Sequence, residues 1–218
     1  MKFAEKKSPA QPSAEASKLS RDDWLDAAFQ AVVEGGFDQV RVLVLAGNLG
    51  VTRGSFYWHF KSHADLTAAL LARWLASQVE VDVRQREDPL PDAQADLERL
   101  LDAALDHAGA DLGNMRFELA LRGVGCRDPA VAQMLVEVDQ MRLRLFAQKF
   151  ERLAGDAKVA HDLAAFFYLT LVGCYQSLSQ SGSSPNAKAY FKCIIMTHLI
   201  RPQGQPSRGA DNAHRRVL

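Results

Sequence analysis

Ten residues, Thr52 to Lys61, carry the densest surface chemistry in this sequence: TRGSFYWHFK. Four rings, Phe56, Tyr57, Trp58 and Phe60, fall within five positions, in a chain that is only 8% aromatic. Arg53 is a planar fork of donors that fits the paired acceptors on the major-groove edge of guanine. Gly54 beside it removes bulk, so backbone can approach a partner closely, and the Ser55 hydroxyl can donate to a base or a phosphate. Tyr57 and His59 offer an O–H and an N–H to phosphate oxygens, and Lys61 adds a point charge. This segment holds two cations and no acid, and phosphate neutralisation by Lys and Arg dominates affinity for DNA. The chemistry is recognition of a polyanion with readable edges, not bond making.

A helix through Thr52 to Phe60 sorts these side chains by direction. At about 100° per residue, Phe56 and Phe60 share one side and face a small core. Arg53 and Tyr57 share a neighbouring strip, and Gly54 and Trp58 a third. Two rings therefore anchor the helix and two turn outward. Before it, Val40 to Leu49 reads as a second helix, Gly50-Val51 as a tight turn, and Thr52 as the cap of the third helix. Helix, glycine turn, helix is the arrangement in which the second helix enters the major groove. Upstream, Trp24, Leu25, Ala28, Phe29, Val32 and Val33 form one apolar stripe, opened by Ser20 with Asp22 and Asp23 and stopped at Gly35-Gly36. Ser62 caps a long fourth helix reaching about Arg86.

GVTRGSFYWHFKS, preceded by Ala46 and Leu49 and by a helix ending in EGGF, resembles the DNA-binding domain of TetR-family transcriptional regulators over about residues 20 to 66. A weaker likeness lies in CRDPAV at 126–131. The resemblance implies a homodimer of Ω-like, nine-helix subunits, with DNA bound by the first three helices, a ligand pocket in the later ones, and the final two paired in a four-helix bundle. It implies that Arg53, Gly54 and Ser55 address bases, that Thr52, Tyr57, Trp58, His59 and Lys61 address phosphates, and that Arg41 touches backbone or a base. The second helix departs from the family pattern. Its sequence is RVLVLAGNLG, with Leu43 at a usually polar position and Gly47 weakening the helix by about 1 kcal/mol relative to Ala.

Pro89 and Pro91 mark a change of subregion, followed by helices expected near 92–110, 112–124, 128–154, 157–181 and 186–200. The fold class is all-α, with nine helices. The expected organisation is a disordered arm over 1–18, a helix-turn-helix domain over 19–66, a ligand-binding and dimerisation domain over 67–201, and a disordered tail over 202–218. Candidate pocket residues are Trp74, His107, Met115, Phe117, Glu118, Phe146, Phe167 and Tyr168; Glu118 and Arg122, four apart, read either as a surface pair or as ligand anchors. The stripes Leu163, Phe166, Leu171, Leu178 and Phe191, Ile194, Ile195, Leu199 carry more apolar surface than one subunit needs and are expected to pair across a dimer.

The formal net charge over 218 residues is zero, which opposes a non-specific architectural binder with a strongly basic surface. Cys126, Cys174 and Cys193 are far apart and form no CxxC pair, as expected of reduced thiols in a cytosolic protein, with redox sensing as the other reading. His59 and His63 are separated by the helix boundary at Lys61-Ser62 and lack a third ligand, so no metal is expected. No Ser/His/Asp order, paired carboxylates or cofactor loop can be assembled, so neither an enzyme nor a cofactor is expected. The opening MKFAEKKSPAQPSAEASK has no apolar run, and no segment reaches the roughly 18 consecutive apolar residues of a membrane span. The sequence thus predicts a cytoplasmic homodimeric repressor that binds a palindromic operator and is released by a small-molecule effector. The competing reading is a helical carrier or enzyme that keeps the heads as packing units.

Overall fold

Ser20 and Asp23 begin the fold with a reciprocal cap. The Asp23 amide donates to Ser20 Oγ at 3.2 Å, and the Ser20 amide donates to Asp23 Oδ2 at 2.7 Å. A computed structural model of the chain describes residues 19–110, 112–178 and 186–201, with no side-chain detail over 106–112. The expected arm over 1–18 and tail over 202–218 lie outside the described residues, as does the end of the eighth helix beyond Leu178. The helices are α1 (Arg21–Gly35), α2 (Val42–Asn48), α3 (Arg53–Phe56), α4 (His63–Glu87), α5 (Ala93–Ala110), α6 (Leu112–Gly125), α7 (Pro129–Ala154), α8 (Ala157–Leu178) and α9 (Ala187–Ile195). A 3₁₀ turn, Phe37–Gln39, precedes α2, and a π turn, Met196–Ile200, extends α9. Every regular element among the described residues is helical.

Two boundaries in the head differ from the sequence reading. The second helix starts at Val42, because the 3₁₀ turn and the bond from Arg41 N to Gln39 O (2.7 Å) occupy the chain before it. The third ends at Phe56, not Phe60. Beyond Phe56 the chain tightens into bonds from Tyr57 N to Gly54 O, Trp58 N to Ser55 O and His59 N to Phe56 O. Thr52 sits at the N-cap with extended backbone, but its side chain makes no capping bond. Gly50, at φ +67°, turns the chain between α2 and α3.

Two cores organise the packing. The first joins α1, α2, α3, the first half of α4, α6 and the start of α7 around Trp24, Leu45, Phe56, Phe60, Trp74 and Phe117. Phe56 meets Trp24 edge-on at 5.4 Å and stacks with Phe60 at 5.5 Å, so a one-turn helix is held by rings rather than by its own hydrogen bonds. The second joins α5, the end of α7, α8 and α9 around Leu101, Phe146, Phe150, Phe167 and Ile195. The Pro89–Pro91 break is pinned by Asp96, which is fully buried. It accepts from Lys149 Nζ at 2.8 Å, Arg152 Nη1 at 2.8 Å and Leu90 N at 3.1 Å.

The residues expected to pair across a dimer divide. Leu171, Ile195 and Leu199 are buried in the subunit's own second core and are not free to meet a partner. Leu163, Leu178, Phe191 and Ile194 are half-buried, and Phe166 is exposed. The physical reason is that α8 is apolar around most of its circumference, so periodicity alone cannot say which side faces inward. By length and composition α8 could cross a membrane, with mean hydropathy 1.2. Its Ala160, Ala164, Phe167 and Leu171 nevertheless fill the core.

Phe56→Ala should destabilise the protein by about 3–5 kcal/mol in urea unfolding, whereas Trp58→Ala, on a side chain 88% exposed, should stay within about 0.5 kcal/mol. Equal losses would show that the ring cluster is not anchored as described.

Candidate nucleic-acid interface

The exposed side of the head is built from a turn that presents side chains without ordering them by a long helix. Phe56 and Phe60 point inward, which forces Thr52, Arg53, Gly54, Tyr57 and Trp58 outward, and all five are exposed. Arg53 Nη2 donates to the Tyr57 hydroxyl at 3.1 Å, and its guanidinium lies 5.9 Å from the Tyr57 ring centre. The fork is thus pre-ordered along the strip, which lowers the entropy lost on contact. A side chain at Gly54 would meet only Thr52 Oγ1, at 3.6 Å, so the surface beside Arg53 is low. Ser55 and His59 are half-buried and Lys61 is exposed. Arg41 is exposed but tethered, its Nε donating to Asp38 O at 2.8 Å. From Gln39 to Ala64 the chain has Arg41, Arg53 and Lys61 and no acid. His63 Nε2 donates to Val40 O, tying the start of α4 to the start of the helix-turn-helix unit.

The body carries a second polar assembly, a seam between the two cores. Arg142 of α7 donates to both Glu118 oxygens at 2.9 and 2.8 Å and to Gln78 Oε1 of α4 at 2.7 Å. Arg122 of α6 donates to Glu118 at 2.8 Å, to Asp139 at 2.7 and 3.1 Å, and to the Tyr168 hydroxyl at 2.9 Å. Tyr168 in turn donates to Asp139. Burial pushes the Glu118 carboxyl upward, but the bonds and charges of Arg142 and Arg122 outweigh it and hold it at about 2. Burial, with the bond to Asp139, raises Tyr168 to about 12.

Among the pocket candidates, Met115 and Glu118 line a cavity of about 10 Å³ with Leu119, Arg122, Val172 and Tyr175, room for about one water. Tyr168 joins through Arg122. Trp74 and Phe117 lie together in the first core, and Phe146 and Phe167 in the second. The two aromatic groups are not brought to one site. The His107 side chain lies outside the described residues. A larger open groove, about 710 Å³, runs along the outer face of α4 from Ala72 to Glu87 and includes none of the candidates.

The family of bacterial regulatory proteins named tetR matches residues 25–70, the segment that carries the turn and its outward strip. The likeness to the tetR family lies in this head. It is 28% identical over 123 residues to the HTH-type transcriptional repressor BepR of Brucella suis biovar 1 (strain 1330), a match covering 56% of this chain and 57% of that relative. The chain spans about half the length of the curated relatives it matches. A TetR-family transcriptional regulator from Agrobacterium tumefaciens shares the fold at TM-score 0.68, with 16% identity over 85% of this chain and 98% of that one. The transcriptional regulator FadR from Bacillus subtilis, solved with stearoyl-CoA, does so at TM-score 0.63, with 18% identity over 83% and 98%.

The seam is where sequence reasoning saw least. Glu118 and Arg122 form the expected i,i+4 pair, but with side chains only 13% and 28% exposed they are not on the surface. Gln78, Asp139 and Arg142 were missed. Arg142 sits on the apolar stripe Leu135, Val138, Leu145, Phe146 of α7, and a charge on an inward stripe is the signal that could have found it. Replacing Glu118 by Gln leaves two guanidiniums short of a charge partner and should cost about 3–5 kcal/mol at neutral pH. Because Glu118 titrates at about 2 when folded against an ordinary 4.5, its contribution is full above the higher value and lost as pH falls through the lower. The stability gap between wild type and Glu118→Gln in urea unfolding should therefore narrow from about pH 4.5 downward. A gap independent of pH would mean that the pair stabilises by shape alone.

Proposed function

We propose that the protein is a sequence-specific, homodimeric transcriptional repressor, without enzymatic activity, that leaves its operator when a small molecule binds the helical body. The observation that carries this reading is the acid-free outer strip of the head, with Arg53 pre-ordered on Tyr57 and two rings anchoring it from behind. Residues 19–66 act as the DNA-binding domain and 67–201 as the effector and dimerisation domain. Arg53, Gly54 and Ser55 read base edges. Thr52, Tyr57, Trp58, His59 and Lys61 meet phosphates, and Arg41 joins them once released from Asp38. The relative named a repressor and the neighbour solved with stearoyl-CoA support the repressor and effector parts of the reading.

Dimerisation falls to the outer face of α8. Val159, Asp162, Phe166, Leu169, Gly173 and Gln176 follow one another at three and four residues on that face, and all are exposed. Phe166 is 59% and Leu169 68% exposed at its centre, an apolar area that a second copy would cover. Two heads then sit on successive major grooves, about 34–36 Å apart, and select a palindrome.

Binding to a randomised duplex library at near-physiological salt tests the core of the proposal, since a carrier that merely retains the heads enriches no palindrome. On the selected operator, Arg53→Ala should relax discrimination at one position by about 1–3 kcal/mol. Lys61→Ala should weaken all sequences alike and flatten the salt dependence by about one unit of slope. If the two variants behave alike, the split between base and phosphate contacts is wrong. Phe166→Asp should give a folded monomer by light scattering, and a persisting dimer moves the interface off this face.

A further inference from the structure

The outer face of α2 is the feature that the DNA-binding reading leaves unexplained. Leu45 and Ala46 bury the inner side, while Leu43 is 68% and Val44 36% exposed, with Gly47 and Asn48 completing the outer strip. None of these four carries a charge. A side chain at Gly47 or Gly50 would meet nothing within 4 Å, and at Gly54 only Thr52 Oγ1. The surface from Leu43 to Arg53 therefore has open space at its three glycines, beside the exposed Leu43 and Val44. α2 and α3 share one inner core and are clasped by the bond from Val51 N to Ala46 O at 2.9 Å. The apolar strip and the residues that present Arg53 thus belong to one packed unit.

Exposed leucines are common and single ones need no explanation. Here two apolar side chains adjoin each other on a surface flanked by Arg41, Arg53 and Lys61, with no acid between Gln39 and Ala64. Such a surface favours a polyanion, yet Leu43 and Val44 have no donor for its phosphates. On a base edge in the major groove the one apolar group is the C5-methyl of thymine. We infer that Leu43, with Val44 beside it, is a specificity-determining residue that packs on a thymine methyl in each half-site, adjoining the bases that Arg53 reads. This rests on the proposed operator binding. It gives the second helix a part in sequence discrimination that needs no hydrogen bond, and Gly47 becomes the clearance that lets Leu43 reach the groove.

The test uses the full chain and its selected operator, with each thymine replaced in turn by deoxyuridine, which removes only the methyl group. One thymine per half-site should prove sensitive, its replacement weakening binding about fourfold, the equivalent of one buried methyl. Leu43→Ala, a surface change whose fold is checked by its melting temperature, should bind thymine and uracil operators equally at that position while keeping its response to Arg53-read bases. Equal sensitivity in wild type and Leu43→Ala overturns the assignment, because another side chain then touches the methyl. No sensitive thymine overturns it as well, and leaves Leu43 packed on deoxyribose. An operator that is selected and bound without methyl sensitivity sinks only this inference. Failure to select any operator sinks the proposed function with it.

Discussion

The pair between Glu118 and Arg142 is the joint on which this body is assembled. It is bidentate, shielded, and placed where the first core ends and the second begins: Val138 closes one, Leu145 opens the other, and Arg142 stands between them on α7. Through Arg142 the joint reaches Gln78 of α4, and through Arg122 it reaches Asp139 and Tyr168 of α7 and α8. Four helices thereby meet at one set of charges. Two acids face two guanidiniums, so the seam is neutral as a whole, and that is why it can sit between apolar cores. Taking charges out of water is expensive unless each is matched; here the matching is nearly complete.

The head solves an opposite problem. The chain as a whole has no net charge, so on the proposed reading attraction for DNA must be made locally. The stretch from Gln39 to Ala64 does this by exclusion of acids as much as by inclusion of bases. Asp38 and Asp65 stand at its two ends: the Asp38 carbonyl tethers Arg41, and Asp65 accepts from the Lys61 amide while its own amide donates to the capping Ser62 hydroxyl. The aromatic residues supply the mechanical part. With α3 only one turn long, hydrogen bonds alone would not keep it folded, and the buried rings of Trp24, Phe56 and Phe60 take over that task.

These two halves were legible in the sequence to different degrees. Phe56 against Tyr57, and the turn at Gly50, could be read because the head is short and its inward and outward residues follow one local period. Helix ends at Ser20, Gly36, Ser62 and Gly155 were equally local, since caps and positive φ are decided within a few residues. The register of α3 beyond Phe56 was not, because the tightening of hydrogen bonds there depends on where Phe60 must dock. Nor was the inner side of α8, which has apolar residues all round: Leu171 went into the core and Phe166 stayed out, a choice made by α7 and α9 rather than by α8 itself. The seam is the extreme case. Arg142 and Glu118 are 24 positions apart, and only the fold makes them partners.

The seam also limits how any ligand can act on the proposed reading. The cavity beside Glu118 and Arg122 holds about 10 Å³, far below the roughly 300 Å³ of the smallest ordinary ligand sites. An effector that enters here must open the joint, and leaving either guanidinium unpaired would oppose it by several kcal/mol. It can succeed only by re-pairing what it displaces, so the charges that bind the ligand are those that hold α4 to α6 and α7. Displacement and the movement of α4 are then one event. His63, at the far end of the same helix, is hydrogen-bonded to Val40 at the entry to the helix-turn-helix unit. On the proposed reading, α4 would link a shift at Gln78 to the surface that presents Arg53, since both bonds lie on this one helix.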